Sequence, residues 1–156
     1  MPFLIEPVSE DCLEQTLELV SDVFKEFEAP EYTQEGIDEF MRYIAPDSIR
    51  NMIAAQALLV WVYKDRAAVR GVIAIRPPSH ISLLFVDRRW HKAGIARSLF
   101  EHVLTSQQVS TNAVEMTVNS SPYAVGFYRR MGFVETEPEK VTNGIRYIPM
   151  IRPAIG

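Results

Sequence analysis

Residues 83–97 read LLFVDRRWHKAGIAR, and the change of pattern inside this stretch decides the fold. Leu83, Leu84, Phe85 and Val86 form an apolar β segment. Ile95, Leu99 and Val103 then recur at i, i+4 and i+8, with Ala96, Phe100 and Leu104 as the row beside them, the pattern of a helix with one buried face. Between the two lies a basic turn that ends at Gly94. A strand–turn–helix leaves unpaired N–H groups at the helix start, where the macrodipole is positive. Gly94 has no Cβ, so an anion can approach the backbone there. His91, Lys92 and Arg97 bring donors or charge to the same place, and the segment reads as a phosphate site. Two familiar phosphate fingerprints are absent: there is no GxGxxG and no Lys-Ser/Thr pair.

Downstream, Val114, Met116 and Val118 alternate with Glu115, Thr117 and Asn119, which predicts a half-buried strand. Ser121 can cap the next helix with Pro122 at its first position, and Gly132 can end it in a left-handed residue. Residues 133–135 and 145–151 read as a terminal hairpin with Asn143-Gly144 as its turn. Upstream, Phe3-Leu4-Ile5 between Pro2 and Pro7 reads as an edge strand. Ser9 can cap a helix whose stripe is Leu13, Leu17, Val20, Phe24 and Phe27, a core face. Thr33 can cap a second helix carrying Ile37, Phe40, Met41 and Ile44, and Pro46 stops it. Residues 47–57 suggest one or two helical turns. Residues 58–63 and 69–75 read as an antiparallel hairpin, with Gly71 permitting a bulge or a close approach. Residues 81–86 follow as a third β segment. The order βααβββαβαββ predicts an α/β (α+β) protein: a mixed, mostly antiparallel central sheet flanked by helices, in a single domain over residues 1–156.

Of the 156 residues 47% are apolar and 23% charged, which suits one globular core. The net charge of −4 argues against a nucleic-acid partner, and the pairs Arg88-Arg89 and Arg129-Arg130 both abut acidic stretches. Cys12 is the only cysteine. It excludes an internal disulfide or a multi-thiolate zinc site, and it suits a reducing compartment. No metal-ligand spacing occurs, no apolar run has the length of a membrane span, and no secretory signal opens the chain. A cytoplasmic protein is expected.

Two motifs carry a family resemblance. His91-Lys92-Ala93-Gly94-Ile95-Ala96 is similar to the Gln/Arg-x-x-Gly-x-Gly/Ala pyrophosphate loop of the GCN5-related N-acetyltransferases, with His91 in place of Gln or Arg. Asn119, Ala124, Phe127-Tyr128 and Gly132-Phe133 resemble the family's second signature, in the expected order and about one βαβ unit away. The resemblance covers roughly residues 69–133. It implies transfer of an acetyl group directly from acetyl-CoA to a primary amine of a small molecule or peptide. The alternative from another class is a catalytically silent CoA-binding regulatory module on the same fold.

The resemblance also assigns residues. Leu84, Phe85 and Val86 would bond the pantetheine arm through their backbone, as an added strand does. His91, Lys92, Ala93, Gly94, Ile95 and Ala96 would hold the diphosphate, with Arg97 nearby. Asn119 would bond the pantetheine arm, and Tyr128 would act as general acid toward the departing sulfur. The third β segment carries no carboxylate, so the general base stays open among Glu28, Glu31, His80, Glu115 and water. By family analogy a homodimer is expected, through the Leu13 to Phe27 stripe or the terminal hairpin.

Overall fold

Alternating apolar residues give four strands that pair antiparallel in sequence order in the computed structural model, which describes residues 3–106 and 115–154. They are β1 (Phe3–Pro7), β2 (Leu59–Asp65), β3 (Ala68–Arg76) and β4 (His80–Val86). β1 lies at the edge, as its flanking prolines predict. Period-two alternation sends Val60 and Val62 into one core and Trp61 into the other.

The first core is covered by α1 (Glu10–Phe27), α2 (Gln34–Tyr43) and α3 (Pro46–Ala54). The second is covered by α4 (Ile95–Thr105) and α5 (Val125–Arg130). Of the α1 stripe, Leu13, Leu17, Val20 and Phe24 are buried in the chain's own core, so that face is not available to a second subunit. Cys12 is buried beside them. α3 is a full helix where the sequence suggested one or two turns, because Pro46 starts it and Ile49 packs into the core.

Gly71 fulfils both expectations. The β2–β3 register shifts between Tyr63 and Lys64, opposite it, and a Cβ there would stand 2.7 Å from Ile95 Cγ2. Its missing side chain lets α4 lie close on β3. Two caps differ from expectation. Thr33 accepts from the Gly36 N–H at 3.2 Å, as predicted. Ser9 instead donates to Cys12 Sγ at 3.6 Å, and Ser121 makes no capping bond.

The remaining strands are β5 (Met116–Ser120), β6 (Val134–Glu135), β7 (Lys140–Thr142) and β8 (Ile145–Arg152). β5 runs two residues beyond the expected end, so Asn119 lies inside it; Val114 falls outside the described residues. The Asn143-Gly144 turn joins β7 to β8 rather than following residues 133–135, with φ of 53° and 80° at the two positions. That is the geometry Asn-Gly favours in a two-residue hairpin. β6 pairs separately with the far end of β8.

Candidate active site

β4 and β5 are parallel neighbours through only two register pairs, His80↔Thr117 and Ile81↔Val118. Beyond them the strands part, because β5 is drawn into antiparallel pairing with β8 along its whole length. The β5-facing edge of β4 is therefore left without a strand partner from Ser82 onward. His80 pins the vertex: its Nδ1 lies 2.7 Å from Thr117 Oγ1. Burial, helped by Arg76, lowers its pKa to about 4, so the ring is neutral near pH 7.

Two clefts meet in the gap. The inner one, about 150 Å³, is lined by Glu28, Tyr32, Phe40, Ser82, Leu84, Asn119, Ser121 and Tyr128, among others. The second, about 350 Å³, lies toward the basic loop and is lined by Phe27, Glu28, Leu84, Phe85, Val86, His91, Ala96, Tyr123, Phe127, Tyr128 and Arg130, among others. Glu28, Leu84, Phe85, Ala124 and Tyr128 line both. A further hollow of about 300 Å³ opens outward from the inner cleft past Tyr32, Asn119 and Ile145 to Glu39, Thr142, Asn143 and Tyr147. A larger groove, about 410 Å³, runs between α1 and the start of β3. Ion pairs such as Arg88–Glu26 at 3.4 Å and Arg70–Asp87 at 3.3 Å line it, and none of the motif residues assigned a role reaches it.

Glu28 reaches the gap because α1 stops there. Its N–H closes the helix on Phe24 C=O at 2.9 Å, and Pro30 forces a 3₁₀ turn over Ala29–Glu31. Desolvation by burial raises the carboxyl pKa to about 7, against a lowering influence from Ser121. Tyr128 is buried on α5 between the rings of Phe127 and Phe133. Burial, then the nearby Glu28, pushes its phenol above the ordinary tyrosine value. Tyr32 is raised in the same way, by burial and by Glu28 and Glu31. The centre of the gap thus pairs a carboxyl poised near neutrality with phenols that stay protonated.

The basic loop is built on Asp87. Its carboxylate accepts from the Arg89 N–H at 3.0 Å and from Arg70 at 3.3 Å, and Arg70 stacks over Trp90 at 4.9 Å. Burial pushes the Asp87 pKa up, but the Arg89 N–H and the two guanidinium groups outweigh it and hold the carboxyl below its ordinary value. Gly94 has φ 79° and starts α4. The first helical bond is Ser98 N–H to Gly94 C=O, so the N–H groups of Ile95, Ala96 and Arg97 precede it. Lys92, Ala93, Gly94 and Arg97 are exposed, while the Ile95 side chain is buried and only its backbone can serve a ligand.

His91 lines the loop-side cleft with one ring nitrogen already engaged. Its Nε2 sits 2.7 Å from the Val86 carbonyl, and its ring lies against Phe27. The turn returns the ring to a strand end that β5 does not cover. Asn119 lines the inner cleft together with Leu84, Phe85 and Tyr128, and also the outer hollow.

Of the suggested bases only Glu28 enters the gap. Glu31 pairs with Arg146 at 3.8 Å, His80 is committed to Thr117, and Glu115 is exposed before β5. Residues given no role in the sequence also line the clefts: Tyr32, Tyr123, Ser121 and Arg130. Arg130 had a signal, since it follows Phe127-Tyr128 by one helical half-turn. Tyr32 lies four residues after Glu28 on the same loop, with no spacing that marked it, while Ser121 and Tyr123 meet Glu28 only through the tertiary fold. Among the described residues no group of three His, Cys, Asp or Glu side chains is placed to hold a metal, and no helix is long and apolar enough to cross a membrane.

Residues 28–152 match the family model of the acetyltransferase (GNAT) domain. The chain belongs to the GNAT acetyltransferase family. Solved structures share the fold. A GCN5-related N-acetyltransferase from Rhodopseudomonas palustris is 16% identical, with TM-score 0.79 and 97% and 96% of the two chains aligned. The PaiA N-acetyltransferase of Thermoplasma acidophilum, in complex with coenzyme A, is 19% identical, with TM-score 0.75 over 97% and 99%. An aminoglycoside 6'-N-acetyltransferase, complexed with coenzyme A, is 13% identical, with TM-score 0.67 over 98% of each chain. No curated protein sequence matches the chain.

Proposed function

We propose that the protein transfers an acetyl group from acetyl-CoA to a primary amine of a small molecule or peptide, without a covalent enzyme intermediate. The observation that carries this reading is the meeting of Glu28 and Tyr128 where the two clefts join. The donor fits the cleft on the loop side. The edge of β4 over Leu84, Phe85 and Val86 offers backbone groups to the pantetheine amides, with the Val86 carbonyl already engaged by His91. The α4 N–H groups, with Lys92, Arg97 and Arg130, suit a diphosphate. The acceptor enters from the other side, past Tyr32 and Asn119.

Glu28 takes a proton from the amine as its nitrogen bonds to the acetyl carbon, and a pKa near 7 suits that task at neutral pH. The β4 backbone polarises the thioester carbonyl. As the carbon–sulfur bond breaks, the Tyr128 hydroxyl donates toward the sulfur. The acceptor's charge is read from the outer hollow. Glu39 is the one formally charged side chain on its lining, and Arg42 pairs with it at 2.7 Å from outside the lining. A cationic acceptor suits such a mouth. Thiol release from acetyl-CoA with a panel of amines tests the reading: cationic primary amines are the expected substrates. CoA binding without thiol release from any amine would favour the silent module instead.

A further inference from the structure

The Ser121 hydroxyl is buried without a role in the scheme above. Ser121 is 8% exposed, and its Oγ completes no hydrogen bond of ordinary geometry among the described residues, although it stands near enough to the Glu28 carboxyl to lower that group's pKa. A buried hydroxyl without a partner destabilises the fold, so its persistence calls for a reason. Local structure does not supply one. Ser121 precedes the turn Pro122–Ala124, where a serine would ordinarily cap. Pro122 has no N–H to offer, and the Ala124 N–H is already taken by the Ser121 carbonyl at 3.1 Å. That carbonyl also accepts from Ser120 Oγ at 2.8 Å. The side chain is therefore released from the backbone. It lines the inner cleft together with Glu28, toward whose carboxyl it faces.

We propose that Ser121 is the positioning residue of the Glu28 base: its hydroxyl donates to the ionised carboxylate and holds it turned toward the incoming amine. The inference rests on the acetyl-transfer reading. A hydroxyl rotates freely, so the bond forms when Glu28 ionises and relaxes when the carboxyl is protonated. The donor thus favours the charged form against the burial that opposes it.

The other groups around Glu28 do not substitute for it. Tyr32, on the same loop, and Tyr128, from α5, stay protonated because burial and Glu28 itself raise them. Glu31 is turned to Arg146. Across the loop-side cleft, His91 is held by Val86, while Tyr123 and Arg130 line the same wall.

The test uses the acceptor found in the amine panel and compares wild type with Ser121→Ala, Ser121→Thr and Glu28→Gln. Two quantities are followed from pH 5.5 to 9: kcat/KM, and the Glu28 carboxyl shift by ¹³C NMR of glutamate-labelled protein. In Ser121→Ala the acidic limb and the carboxyl titration should both move up by about one pH unit, lowering kcat/KM about tenfold at pH 6 and leaving the plateau near pH 9 almost unchanged. Ser121→Thr should keep the wild-type limb, and Glu28→Gln should lose it. A Ser121→Ala enzyme with the wild-type titration would overturn the proposal. So would a lower plateau at every pH, which marks a packing role, or a raised acetyl-CoA KM with an unmoved limb, which places the hydroxyl on the donor. A Glu28→Gln enzyme that keeps the limb would overturn the base assignment itself, a result distinct from all of these.

Discussion

At Glu28 the burial that suits the carboxyl to take a proton also opposes folding. Its pKa rises from 4.5 to about 7 on folding. Between those values the unfolded chain is ionised and the folded one protonated, so stability falls as pH rises through this window. Above pH 7 the full penalty is present, at most about 3 kcal/mol and less where solvent screens the half-buried carboxylate. Glu28→Gln should therefore be the more stable protein at pH 8, with the difference gone by pH 4. Urea denaturation at the two pH values checks it, and a variant less stable than wild type at pH 8 would reject this account. Tyr128 is the complementary case. Its phenol is a weaker acid than free tyrosine, so full proton transfer to a thiolate, whose ordinary pKa is about 8.5, is uphill. The hydroxyl then contributes mainly a hydrogen bond that strengthens as charge builds on sulfur. Tyr128→Phe should lower kcat about 10- to 100-fold with acetyl-CoA affinity nearly unchanged. Single-turnover kinetics and a direct binding titration separate the two effects.

Among the elements, the clasp between α2 and the β7–β8 hairpin shapes the side of the gap proposed for the acceptor. Thr33 and Gly36 at the start of α2 meet Gly144 at the hairpin tip, with Thr33 N–H to Gly144 C=O at 3.4 Å. A Cβ on Gly36 would overlap the Gly144 carbonyl. Alanine is the better helix former by about 1 kcal/mol, but here the overlap forces two backbones apart. Gly36→Ala should cost about 1–3 kcal/mol of stability and raise the amine KM while sparing that for acetyl-CoA. Equilibrium unfolding and steady-state kinetics give the two readings. Gly94 is constrained differently. A Cβ there would meet nothing within 4 Å, so crowding is not the obstacle; its φ of 79° is. Gly94→Val should strain the loop by about 1–3 kcal/mol and weaken CoA binding, with the rest of the fold retained. Calorimetric titration with CoA decides it, and unchanged affinity would move the diphosphate elsewhere.

For the whole molecule, the gap divides the sheet into β1–β4 and a β5–β8 group that touch through two register pairs at the vertex. A ligand lying along β4 and reaching Tyr128 would contact both groups in the folded state only. CoA at about 100 times its dissociation constant should therefore stabilise the fold by about 2.7 kcal/mol. Thermal unfolding with and without CoA measures it; no shift, with no heat of binding, would remove the donor assignment. With the α1 stripe buried in the core, the terminal strands, where Val134 and Val141 are exposed, are what remains of the two faces expected for a homodimer. Light scattering over a concentration series distinguishes it from a monomer.

What the sequence by itself determined was local and periodic. The strand–turn–helix at residues 83–97, the helix stripes, the Asn143-Gly144 turn and the two family motifs depend on neighbours within a few residues, where steric and hydrophobic rules act directly. From them the fold class and the place of Tyr128 were legible. The splay of β4 from β5 was decided by the competing pairing of β5 with β8, a contact between segments about thirty residues apart. That splay opened the gap, turned His91 onto Val86 and set Asn119 between the inner cleft and the outer hollow. The entry of Glu28, alone among the candidate bases, into the gap was likewise tertiary. Desolvation depends on what surrounds a carboxyl, and Glu28 is surrounded by residues from β4, the β5 end and α5. No spacing in the chain encodes that environment, whereas the packed structure does.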